Sequence, residues 1–327
     1  MTFQPHFRRR AALTILPVLW VASMATAQPA FPTQPITLVV PFAAGGGTDL
    51  VARVLAQHME KTLGQPVLVD NKPGVNGNLA GAYVAKAKAD GYTVLYNTSS
   101  IAISPAIYRN LGYDVMKDLA PVGLSASIPT GLIVAPNLPI KTMGEFLVYV
   151  KAHSGQMAYG SSGLGNINHM SAVQLSLAQG MDAIHVPYKG SSAATIDLAG
   201  GRIHFMIDTV NNITGFVREG KLRLLAVATA KRLPMYPDVP TFAEAGVPDL
   251  EGGAWSGVMV PARTPPEVIA RLNTALLSAL NAPEVRQKLS EQGTEVLGSS
   301  PEQYGLYLRK EITRWAAVAK RASLVAE

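Results

Sequence analysis

Apolar and polar positions along this chain follow two periods in turn, and the alternation predicts strands leading into helices. Residues 36–40 form an apolar run of strand length. From about Asp49 the apolar residues Val51, Val54, Leu55, Met59 and Leu63 recur at three- and four-residue spacing, while Arg53, Gln57 and Glu60 lie off that face. Gly64 stops this helix. A strand over 66–69, a helix over 78–87 and a strand over 93–96 follow, an α/β order that predicts parallel strands. A second such unit reads as strand 132–135, helix 142–152 opened by Thr142 with Glu145 three residues on, strand 157–159, a helix over about 168–178, strand 183–186, a helix to 198, strand 203–207 ending at Asp208, and strand 223–228. A strand over 256–260 then gives way to helices over 266–281, 283–292 and 301–322.

Two strand-to-helix junctions carry the chemistry. Pro41 to Asp49 contains Gly45, Gly46 and Gly47 in succession, so no side chain blocks a ligand from the backbone and positive φ is open to the chain. A helix start behind it offers unpaired N–H groups and a partial positive charge, which together suit a small anion. A tight turn with no ligand fits the same residues. Gly160 to His169 repeats the arrangement before a second helix. No low-complexity linker separates the two units, so they are expected to share connecting strands, which sets both loops across one cleft with a hinge between.

Composition narrows the setting. Arg8, Arg9 and Arg10 precede an apolar run over 11–25 that ends in Ala25-Thr26-Ala27, the layout of a secretory leader cleaved after Ala27. The run is short for a membrane span and is broken by Thr14, Pro17 and Ser23, although an uncleaved anchor is the other reading. Cleavage leaves 300 of 327 residues and removes three arginines and no acid, so 25 basic residues face 22 acidic ones, a net +3. Short dispersed basic pairs without stacking aromatics argue against nucleic acid. With no cysteine, stability rests on core burial, for which 48% apolar residues in two domains are ample.

Enzyme motifs fail on inspection. Gly215 to Leu222 matches a phosphate-binding loop until Leu222 replaces the hydroxyl that would hold magnesium, and Glu219 to Lys221 reads as a polar turn before the next strand. Gly163 and Gly165 begin a dinucleotide fingerprint that Asn168 ends, and Gly160 to Leu164 lacks the last glycine of a nucleophile elbow. Six histidines are scattered without ligand spacing, so neither metal nor cofactor is expected. His169 suits either support of the second loop or ligand contact. Asp208, at a strand's carboxyl end, suits either a ligand's hydroxyl or amine or the capping of nearby N–H groups.

The run from Pro35 to Asp49 resembles the N-terminal signature of the tripartite tricarboxylate transporter substrate-binding proteins, the Bug family. Further matching segments follow in the family's order: Asp70 to Gly74, Asp90 to Leu95, Tyr159 to Gly163, Val186 to Gly190, Asp238 to Gly246 and Trp255 to Gly257. The resemblance implies an α/β, periplasmic binding protein-like (type II) fold, two α/β domains joined by hinge strands around a ligand cleft. The expected division is 28–125 plus 254–327 for domain 1 and 126–253 for domain 2.

By the same resemblance the protein is no enzyme. It captures a small organic acid (a di- or tricarboxylate, an aromatic acid or an acidic amino acid) in the periplasm and delivers it to the membrane subunits of a tripartite tricarboxylate transporter. A receptor signalling to a sensor kinase, and more remotely a secreted hydrolase, are the alternatives. The family's main-chain style of binding maps onto Phe42, Ala43, Ala44, Gly46 and Thr48, with Asp49 fixing the loop, and onto Ser161, Ser162, Gly163, Gly165 and Asn166, with His169 behind. Thr98, Ser99 and Asp208 are expected to line the same cleft. Asp49 is expected to shape its loop, with binding of an amino group as the other role open to it.

Overall fold

The computed structural model describes residues 1–2, 31–250, 252–291 and 293–324. The leader and its cleavage point at Ala27 lie outside the described residues. In chain order the elements are β1 (Ile36–Val40), α1 (Gly47–Leu63), β2 (Val67–Asn71), α2 (Asn78–Ala85), β3 (Thr93–Thr98), α3 (Ser100–Ile107), α4 (Val115–Asp118), β4 (Leu119–Val134), α5 (Met143–Ala152), β5 (Ala158–Ser161), α6 (Ile167–Gln179), β6 (Ile184–Pro187), α7 (Ser191–Ala199), β7 (Phe205–Thr209), α8 (Val210–Arg218), β8 (Arg223–Val227), β9 (Gly253–Pro261), α9 (Pro266–Asn281), α10 (Pro283–Glu291), β10 (Glu295–Val296) and α11 (Pro301–Arg321). The 3₁₀ turn Val75–Gly77 leads into α2.

One ten-stranded sheet runs through the molecule in the order β2-β1-β3-β9-β4-β7-β5-β6, with β8 and β10 also paired to β4. Its two ends are parallel, as the alternation of strands and helices requires: β1 pairs with β2 and β3, and β5 with β6 and β7. The middle is antiparallel. Strand β4 is 16 residues long, and its first part, Leu119 to Pro129, pairs with β9 while Thr130 to Val134 pairs with β7.

Each end of the sheet is covered on both faces. One core joins β1, β2 and β3 to α1, α9 and α10 through Leu38, Val54, Leu55, Met59, Leu272 and Leu276, and a second lies beneath α2, α3 and α11 around Trp255, Tyr304 and Trp315. At the other end, Leu132, Phe146, Leu175 and Phe205 form a core under α5 and α6, and Ile133, Leu198 and Ile213 form one under α7 and α8. Helix α6 also lends Ile167, Met170 and Val173 to the core around Trp315.

Beyond shifts of a few residues at element ends, the structure differs from the sequence reading in the following ways. The strand expected over 132–135 is the last part of β4. Helices α3, α4 and α8 and strand β10 were not anticipated: Pro105 interrupts α3, α4 and β10 are only four and two residues long, and α8 carries its apolar spacing (Val210, Ile213, Val217) in only nine residues. The first loop's helix begins at Gly47, two residues before Asp49, because glycines supply its opening turn.

Candidate functional site

The carboxyl ends of β1, β3, β5 and β7 all run into helix starts. At the first, Gly46 is the N-cap of α1 in extended conformation and Gly45 has φ +82°. Ala43 to Gly46 are exposed, and no side chain caps the helix. At the second, Asn166 is the N-cap of α6, again without a side-chain cap, and Gly163 and Gly165 take φ +131° and +71°. Side chains cap some helices but not others: Thr142 accepts from Glu145 N at α5, and Ser300 closes a reciprocal box with Gln303 at α11. Helices α2, α3, α7, α8 and α9 share the uncapped start of α1 and α6, without as glycine-rich a loop before it. Leaving the first-turn N–H groups of α1 and α6 without side-chain partners keeps them available to an anion.

A charged network holds the first loop. Asp49 is only 1% exposed. Its Oδ2 accepts from Gly45 N (2.8 Å) and Arg53 Nε (2.9 Å), and its Oδ1 from Asn71 Nδ2 (2.9 Å). Asn71 Nδ2 also donates to Phe42 O (2.9 Å), so both arms of the loop are tied to one carboxylate. Burial alone would raise the Asp49 pKa, but Arg53, Gly45 and Asn71 outweigh it and hold the group below the usual aspartate value. The acid is therefore neutralised by its own neighbours.

Neutral groups hold the second loop. His169 (1% exposed) accepts from Gly165 N at Nδ1 (3.3 Å), so its proton sits on Nε2, and its ring stacks 4.0 Å from that of His185. Burial, with His185 nearby, lowers the His169 pKa to about 3, and burial lowers that of His185 to about 4. His185 Nε2 and Ser161 Oγ share a 2.7 Å hydrogen bond, and Ser161 Oγ accepts from Gly163 N (3.2 Å). Ser162 Oγ donates to Asn168 Oδ1 (2.9 Å).

Asp208 lies wholly inside. Its Oδ1 accepts from Asn168 Nδ2, Ser191 Oγ (3.1 Å) and Thr209 N (2.7 Å), so the starts of α6, α7 and α8 share one acceptor. Burial raises its pKa against those hydrogen bonds and one from Asn212. Thr98 and Thr48 line a small cavity of about 30 Å³ with Ile128, Ala254 and Ser256. Ser99 is buried at the N-cap of α3, and its N–H donates to Trp255 O (2.8 Å).

Each loop meets an element from the other end of the sheet. A Cβ on Gly47 would stand 3.1 Å from Asn211 Nδ2 at the start of α8, and one on Gly165 would stand 3.4 Å from Ile107 of α3. The sequence reading placed Asn71 in a matching segment but gave it no role. Asn76, also without a role there, touches the second loop.

Residues 51–324 match the family described as the tripartite tricarboxylate transporter family receptor, TctC. The chain belongs to this family. Its members are substrate-binding proteins rather than enzymes, and they are periplasmic. Among the described residues no helix is long and apolar enough to cross a membrane. This receptor is similar to the periplasmic binding protein BugD, with 34% identity and a TM-score of 0.81 over 91% of this chain and 100% of that one. It is similar to Rpa4515 of R. palustris, solved with adipate, at 39% identity and a TM-score of 0.83 over 91% and 100% of the two chains. It also resembles MatC of Rhodopseudomonas palustris with bound malate, at 36% identity and a TM-score of 0.79 over 88% and 99%. These neighbours give the receptor its fold class, that of periplasmic binding proteins.

Proposed function

We propose that this receptor captures a small carboxylate between its two glycine-rich helix starts and hands it to the membrane subunits of a tripartite tricarboxylate transporter. The observation that carries the reading is the pair of glycine-rich, uncapped helix starts, of α1 and α6, each touching an element from the other end of the sheet, on loops that contain neither Lys nor Arg. Residues 28–125 plus 254–327 and residues 126–253 are the two bodies that close on the acid, turning on β4 and β9, after export and cleavage behind Ala27. Relatives solved with adipate and malate support a dicarboxylate. Hydrogen bonds to a charged group contribute about 1.5 to 3 kcal/mol each, so three or four, offset by ordering costs, support micromolar binding.

Phe42, Ala43, Ala44, Gly46 and Thr48 donate from the first loop and Ser162 with the first turn of α6 from the second, where Gly163, Gly165 and Asn166 shape the turn through their own bonds to Ser161, His169 and Gly163, with Thr98 and Ser99 on the wall between. Asp49, Ser161, His169 and Asp208 fix these donors in place. The family is one of receptors, so the hydrolase reading falls away, and no relative favours a sensor kinase. The test is a thermal-shift screen of residues 28–327 against dicarboxylates, tricarboxylates, aromatic acids and acidic amino acids. A bound acid raises the midpoint by mass action. If none does, even after unfolding and refolding to strip carried-over acid, the reading is wrong.

A further inference from the structure

Asn76 sits in the 3₁₀ turn Val75–Gly77 beside α2, at φ +54° and ψ +32°, a left-handed conformation that asparagine tolerates better than most residues. Its carboxamide reaches the second loop. Nδ2 donates to Gly165 O (2.9 Å), and Oδ1 accepts from Asn166 Nδ2 (3.3 Å) and from Ser100 Oγ of α3 (3.0 Å). The orientation is unambiguous, because a carbonyl can only accept and Nδ2 must therefore face Gly165. Tyr108 OH, from the end of α3, donates to the neighbouring carbonyl of Leu164 (3.4 Å).

Asn166 is the N-cap of α6, and asparagine is among the best side-chain caps. Here its amide is turned toward Asn76, and the first-turn N–H groups of α6 receive no side-chain cap. The bridge therefore does two things at once: it ties the second loop to the segment before α2, and it keeps the Asn166 side chain off the N–H groups that face the cleft.

We infer that Asn76 is a positioning residue that holds the closed arrangement and keeps the α6 donors free for ligand. The inference rests on the closure reading above, with Asn76 and Gly165 on bodies that separate when the cleft opens. Retention of ligand then depends on one carboxamide that makes no contact with it.

The test uses the absence of cysteine in the chain. Spin labels at Leu79→Cys and Ile196→Cys, both exposed positions, report the separation of the two bodies. They are compared in the parent, in Asn76→Gly, which accepts the positive φ without a side chain, and in Asn76→Asp, which sets a carboxylate against the Gly165 carbonyl. The open-distance population is expected to rise at least fivefold in Asn76→Asp and less in Asn76→Gly, with unchanged thermal midpoints of the unliganded proteins. With malate as probe, loss of the two cross-cleft bonds should speed dissociation about tenfold and leave association nearly unchanged. Identical distance distributions in all three proteins overturn the inference, as does malate closing the variants and the parent alike with one dissociation rate. If distances shift as expected while no acid in the panel binds, the carboxylate reading fails and the bridge stands.

Discussion

The two glycine-rich loops solve one problem by opposite means. Each must hold a run of backbone donors open to the cleft without a lysine or arginine of its own. The first does so with a buried carboxylate offset by Arg53, and Asn71 braces both arms. The second rests on two stacked imidazoles and a serine, all neutral at ordinary pH, with a carboxylate farther in under three helix starts. Polarity alone therefore does not say how a loop is held. The difference should show in what unfolds each loop.

The largest effect is expected deep in the second loop's support. Asp208→Ala leaves Asn168, Ser191 and the Thr209 N–H without their acceptor, and should lower stability by about 3 to 4 kcal/mol, read by denaturant unfolding. A loss below about 1 kcal/mol would show that the three helix starts do not depend on it.

Acid separates the loops next. His169 and His185 have folded pKa values of about 3 and about 4, below the ordinary value near 6.5, so the unfolded chain binds protons that the fold does not. Their stabilising effect is full above pH 6.5 and is lost as pH falls toward 4 and 3. Asp49 is also depressed, from 3.8, so its effect is full above that value and is lost only in stronger acid. Protection factors of the amides of residues 161–169, taken relative to the intrinsic exchange rate at each pH, should therefore fall between pH 6.5 and 4 while those of residues 42–49 hold. His169→Gln with His185→Gln should flatten that dependence; equal acid sensitivity of both loops would erase the distinction.

The smallest effects lie in the first loop. Asp49→Asn keeps the shape but loses the charge, and should cost about 1.5 to 2 kcal/mol. Arg53→Ala should cost only about 0.5 kcal/mol, because the Arg53 side chain is 49% exposed and solvent screens its pairing. If Asp49→Asn instead abolishes binding of amine-bearing acids alone, Asp49 contacts ligand and its loop-shaping role fails.

Much of the fold was readable from periodicity. Helix α9 and the starts of α10 and α11 fall where proline and apolar spacing put them. The parallel strands followed from the alternation of periods. What stayed hidden depended on contacts between distant segments. Strand β4 carries Pro121, Gly123, Pro129 and Gly131, which read as breaks but sit in a ladder with register shifts between Pro121 and Gly123 and between Leu124 and Ala126. The two loops were legible because glycine next to a helix start has a local meaning. Asn76 was not, since its partners lie about 90 residues away.

Strand β4 also has a consequence for phase. It passes from β9 to β7 without an intervening loop, so its two-residue side-chain period carries across. Beyond the crossing, Leu132 and Val134 enter the core under α5 and α6, while Ile133 enters the one under α7 and α8. Deleting a single residue near Ile128 would exchange these faces and turn the remaining strand inside out relative to the sheet it left. The length of β4 is thus a parity constraint: insertions or deletions there are tolerable in twos, whereas the surface loops can change by any number.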